Sequence, residues 1–136
     1  MDNALVGTWE LRPEKSEFGP NHRPSAATMV FEIDPDGNLL LRAEGANEKG
    51  EKVTERPQKF IPDGKPHPVP GLPGLMAVST IEDRNRLTAE VRREDGSLVG
   101  SWKSVVSEDG RSLTVTNSGW DSQLREFKQT TAWERV

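Results

Sequence analysis

A chain of 136 residues with 32% hydrophobic content and a net charge of −4 makes one domain with a thin core, and it has no basic stripe for nucleic acid. It has no cysteine, which excludes disulfides and thiolate chemistry. No apolar run approaches the ~20 residues of a membrane-spanning helix.

Residues 4–12 read as the first strand, built around Gly7-Thr8-Trp9, and Pro13 ends it. Residues 13–18 suit a single helical turn, with proline pre-set at its first position. A stiff Pro/Gly loop follows, containing His22. Residues 26–33 alternate as a second strand, and Asp34-Pro35-Asp36-Gly37 turns the chain. Residues 39–44 and 52–60 give strands three and four, with Pro57 marking a bulge or an edge. The fourteen residues 61–74 hold five prolines and three glycines. They read as a break in the ladder: either a stiff flap at a barrel mouth, carrying His67 and Leu72, or a polyproline-like spacer across a gap in the wall.

Strands five to nine follow at residues 75–81, 86–93, 97–106, 112–117 and 125–135. Glu94-Asp95-Gly96 and Glu108-Asp109-Gly110 mark tight hairpins. Residues 119–124 read as a loop containing Trp120. Short strands joined by tight turns make an all-β, single antiparallel up-and-down barrel of about eight to ten strands, nine by this count. An antiparallel sheet with one wet face needs few apolar residues, which fits the thin core. Closing the barrel removes exposed edges, with the Trp9 strand meeting the Trp133 strand.

The expected interior follows from the alternation. Trp9 is the floor, with Arg125 or Arg135 placed to stack on its ring. Phe31, Leu41, Met76, Leu87, Trp102, Phe127 and Trp133 form the wall. Arg56, Arg125 and Gln129 are candidate polar anchors, because a buried arginine holds a carboxylate by bidentate bonds. Arg42 is expected to point outward. His22 and His67 are the only histidines. They sit outside any metal-ligand spacing, so neither a metal nor a cofactor is expected. No catalytic residue is expected either: there is no nucleophile motif, and the carboxylate pairs lie in solvated turns.

Gly7-Thr8-Trp9 near the start, the succession of short strands, and Trp133-Glu134-Arg135 at the end resemble the lipocalin-like, or calycin, barrels. Within these, Lys15-Ser16-Glu17-Phe18, Asp63-Gly64-Lys65-x-His67-Pro68-Val69-x-Gly71 and the run from Val105 to Thr116 are similar to small bacterial lipocalin-like proteins of uncharacterised function. In that pattern His67 stands where an aromatic is usual. The fatty-acid-binding proteins are a more distant likeness. Their closing strand grips a carboxylate with an Arg-x-Tyr pair, and the matching positions here hold Thr131 and Trp133. Residues 13–24 are also too short for their helical lid. The resemblance implies a barrel that binds a small apolar or amphipathic molecule without catalysis. The alternative is a filled barrel working as a structural or interaction module; an enzyme has no support beyond the fold. A monomer or homodimer is expected, with no nucleic-acid or membrane partner. The sequence as written reads as cytoplasmic, or as secreted or periplasmic if a signal peptide has been removed.

Overall fold

Alternation of buried and exposed side chains runs through most strands of the computed structural model, which describes residues 4–18, 25–47, 49–54, 57–69, 72–83, 85–120 and 126–136. The strands are β1 (Gly7–Leu11), β2 (Ala26–Ile33), β3 (Leu39–Ala46), β4 (Lys52–Thr54), β5 (Gln58–Phe60), β6 (Asp63–Pro68), β7 (Leu75–Asp83), β8 (Arg86–Arg93), β9 (Leu98–Val106), β10 (Ser112–Trp120) and β11 (Glu126–Arg135). They form one antiparallel up-and-down sheet in the order β4-β3-β2-β1-β11-β10-β9-β8-β7-β6, with β5 also on β3. A 3-10 turn at Pro13–Lys15 follows β1.

Two of these eleven strands depart from the nine read in the sequence. Residues 52–60 divide beside Pro57 into β4 and β5, which both pair with β3. The proline-rich stretch, expected to break the ladder, instead supplies β6, which pairs with β7 across a register shift between Asp63 and Pro66. The physical reason is where the prolines fall. His67 is opposite Ala77, and the Val69 N–H donates to the Leu75 carbonyl at 3.1 Å. Odd-numbered positions therefore carry the ladder. Pro66 and Pro68 turn their hydrogen-less nitrogens to the free side of an edge strand, where no partner is missed.

The chain's two ends meet as expected. Trp9 lies opposite Arg135, and Leu11 opposite Trp133. The Trp9 ring is fully buried (0% exposed), and its indole N–H donates to the Leu5 carbonyl at 2.9 Å. Of the two candidate arginines, Arg135 takes the stacking role, its guanidinium 4.2 Å from the ring centroid. The same guanidinium donates to the carbonyls of Val6 and Gly110, both at 2.8 Å, and of Ala4 at 2.5 Å. Gly7 is required beneath it: its φ is +136°, and a Cβ there would sit 2.4 Å from Arg135 Nη1. Leu5, Phe31, Leu39, Leu87, Leu113 and Trp133 pack around this plug as one buried cluster.

The connection after β1 stays on the β11 edge. Glu17 and Thr130 exchange backbone hydrogen bonds at 2.7 and 2.8 Å, and Ser16 Oγ accepts from the Ala132 N–H at 2.9 Å. Glu134 pairs with Arg12 at 2.8 Å and Lys15 at 3.3 Å. Those contacts, the Arg12 hydrogen bond first, hold the Glu134 carboxyl below its ordinary range. Asp34, Asp63, Asp95 and Asp109 are lowered too, by hydrogen bonds within their turns or with β6. Arg42 points outward as expected and pairs with Glu32.

Two outcomes follow. Trp9→Ala should cost roughly 3–5 kcal/mol by chemical denaturation, as a large-to-small core change, and Arg135→Met about 1–3 kcal/mol. The lowered carboxyls contribute stability that is complete above the ordinary carboxylate range. That stability is lost as pH falls through their folded-state values, so the urea midpoint should hold near neutrality and decline below about pH 4.

Candidate functional site

The sheet's inner face is uneven along the barrel axis. At the end plugged by Trp9 and Arg135, the inward side chains are large, apolar and buried. At the opposite end small and polar residues join Leu75, Val91 and Phe127 at the inward positions: Ala27 and Gly45 on β2 and β3, Ala77 on β7, Gly100 on β9, and Asn117 on β10 beside Gln129 on β11. All of these are half-buried. This end is therefore the more solvent-accessible of the two.

Between the two halves lies Trp102. Its ring is half-buried and tilted against Phe60, with centroids 6.1 Å apart. Phe60 belongs to β5 and Trp102 to β9, strands far apart in the sheet order, so their contact crosses the interior. Trp102 Nε1 donates to Ser104 Oγ at 2.5 Å, which fixes the ring's tilt. One layer down, Trp133 Nε1 donates to Thr131 Oγ1 at 2.9 Å, and the Thr131 hydroxyl reaches the Val115 carbonyl at 3.4 Å. The buried hydroxyls of the middle layer thus serve the tryptophans.

The expected site residues distribute as follows. Trp9 is fully buried inside the plug, while Trp102 and Phe60 meet between the two halves. Phe31, Leu41, Leu87 and Trp133 face inward but lie in the buried cluster. Trp102, Phe127 and Gln129 face the open half. Met76 does not. It lies opposite Arg92 and shares its face with the exposed Thr80, which is the outer face, because Ser79 and Ala77 take the inward positions of β7. Leu72 is 49% exposed in the connection between β6 and β7. Trp120, expected in a loop, ends β10 on the outer face at 43% exposure. Arg56, Arg125 and His22 lie outside the described residues.

His67 occupies β6 on the side of Ala77, with Nε2 2.9 and 3.0 Å from the two carboxylate oxygens of Asp63. The Asp63 carboxyl is held low first by the Lys65 N–H and then by His67. The pair brackets the register shift and ties it closed. Among the described residues, no group of three potential metal ligands converges, and no helix is long and apolar enough to cross a membrane.

Asn117 escaped the sequence reading. The phase of Leu113 and Val115 carries inward to it, but the strand read over residues 112–117 was expected to end there. Gly119 continues the phase. A Cβ on it would stand 2.8 Å from the Val99 carbonyl and 3.6 Å from the Phe127 ring, so glycine lets β9, β10 and Phe127 close together at the rim. A shallow depression of about 400 Å3 lies on the same rim, between Pro73–Leu75 and Arg93–Asp95.

Comparison with known proteins places this geometry in a fold. The fluorescent protein UnaG superposes with a TM-score of 0.65 at 13% identity, over 97% of each chain. Zebrafish ileal bile acid-binding protein, solved with cholic acid, gives 0.61 at 15% identity, over 98% of this chain and all of that one. Rv2717c of M. tuberculosis gives 0.54 at 14%, over 98% and 93%. The chain has the calycin barrel fold of these proteins. No family model and no curated protein sequence matches it.

The placement of the tryptophans has a direct readout. Trp120→Phe should remove most of the emission that acrylamide quenches readily. Trp9 and Trp133, buried at 0% and 7% exposure, should remain protected. A quenching profile unchanged by Trp120→Phe would contradict the outward placement of that ring.

Proposed function

We propose that this protein binds a small apolar or amphipathic molecule, without catalysis, in the open half of its barrel. The observation that carries this reading is the contrast along the axis. One half of the inner face is packed shut, while the other is lined by glycine, alanine and half-buried polar and aromatic side chains. Mouths of β-barrels are favoured sites for small ligands, and a barrel of the same fold is known with cholic acid bound. Trp102 supplies the floor, Phe127 the rim, and Asn117 and Gln129 the polar contacts. His67 and the chain around Leu72 flank the entrance from β6. The carboxylate grip of the fatty-acid-binding proteins has no counterpart at Thr131 and Trp133, whose polar atoms bond each other.

Native mass spectrometry of protein purified without detergent, compared with its denatured mass, tests the reading. A discrete additional mass supports it, and extraction then gives the ligand's chemical class. Titration with cholate or medium-chain lipids should alter tryptophan emission. Trp102→Phe should remove most of that response, and Trp120→Phe should leave it. A bare mass together with unchanged emission across these probes would reject the carrier reading. It would leave a filled barrel acting through its surface, where Trp120 is the exposed aromatic.

A further inference from the structure

We propose that the polar group this barrel takes up is neutral and offers both a donor and an acceptor, as a primary amide, lactam or imide does, and that Asn117 and Gln129 hold it. This deepens the binding reading above and rests on it.

The two side chains are direct cross-strand partners on the inner face, so their Cβ atoms stand about 4.5–5.5 Å apart. Each carboxamide carries two N–H donors and a carbonyl acceptor. Among the described residues, neither side chain makes a hydrogen bond, and both are half-buried. The hydroxyls one layer below are already committed: Ser104 to Trp102, and Thr131 to Trp133 and the Val115 carbonyl. The amide pair is thus a polar patch with spare capacity in both directions.

Its surroundings select against charge. Trp102 lies opposite Asn117 on β9, and Gly119 and Phe127 form the next pair toward the rim. Val115 and Thr131 form the pair below. None of these neighbours is ionisable. Among the described residues, the inward basic side chains elsewhere are occupied or remote. Arg135 caps Trp9 at the far end, His67 is held by Asp63, and Arg93 is exposed at the rim and reaches Ser97. Among the described residues, a carboxylate brought against the amide pair would lose water and gain no counter-ion. A neutral amide edge would instead exchange donor for acceptor with each side chain. Its apolar remainder would lie between the Trp102 and Phe127 rings.

Three ligands with one tail separate the possibilities: dodecanamide, dodecanoate and methyl dodecanoate, titrated at pH 8 into delipidated full-length protein by tryptophan emission. Dodecanamide should bind about tenfold more tightly than dodecanoate, as expected for a few well-made hydrogen bonds against an unpaired charge. It should also bind more tightly than the ester, which is neutral but has no N–H. In Asn117→Leu/Gln129→Leu the preference for the amide should collapse, with binding through the tail retained. The ester comparison needs no variant, so the test stands even if that double substitution impairs folding. Equal or tighter binding of dodecanoate, an ester that matches the amide, or a preference that survives the double substitution would each overturn the amide assignment while leaving the carrier reading intact. Failure of all three ligands to bind would overturn both.

Discussion

Arg135 stacked on Trp9 is the contact on which the rest of the barrel depends. It joins the first strand to the last, the most distant pairing in the chain, and it does so with one guanidinium that faces a ring on one side and three backbone carbonyls on the other. Closure over so long a separation carries a loop-entropy cost that local hairpins do not. The cost is offset at one point, where cation–π attraction, charge-assisted hydrogen bonds and burial of an indole coincide. Gly7 is the geometric condition for this, since any side chain there would occupy the arginine's place.

Once that end is plugged, the other end is free to be different. A barrel packed along its whole length would need large side chains at every inward position, and this chain has few to spend at 32% hydrophobic content. It concentrates them around Trp9 and leaves glycine, alanine and amides toward the mouth. The thin core seen in the composition is therefore a division of labour along the axis. The buried core lies in the plugged half and the half-buried inward positions in the other, with the Trp102–Phe60 contact as the boundary.

Much of the architecture was legible because strand alternation and turn chemistry are local. The Glu-Asp-Gly turns and the meeting of the Trp9 and Trp133 strands follow from pattern alone, whereas the contiguous Leu39-Leu40-Leu41 left the outward side of Arg42 open. What was not legible required knowledge of the partner strand. In Leu75-Met76-Ala77-Val78 every residue is apolar, so alternation cannot say which pair faces inward. Pairing with β8, whose Leu87 and Ala89 are buried, settles it against Met76. Prolines forbid a central strand but not an edge, and edge status is a property of the whole sheet, so β6 could not be read from its own residues. Asn117 was passed over because polar residues are expected outside. Its inward position is visible only when the phase of Leu113 and Val115 is extended past the point where hydrophobicity stops.

The seam beside β6 has a mechanical consequence. Among the described residues no ladder joins β6 to β4 or β5, and Pro66 and Pro68 ensure that one side of that junction offers few donors to form one. Among the described residues, parting the wall along this line breaks no ladder hydrogen bond, whereas parting it between any two paired strands breaks several. Among the described residues, the wall is hydrogen-bonded strand to strand everywhere but at this junction.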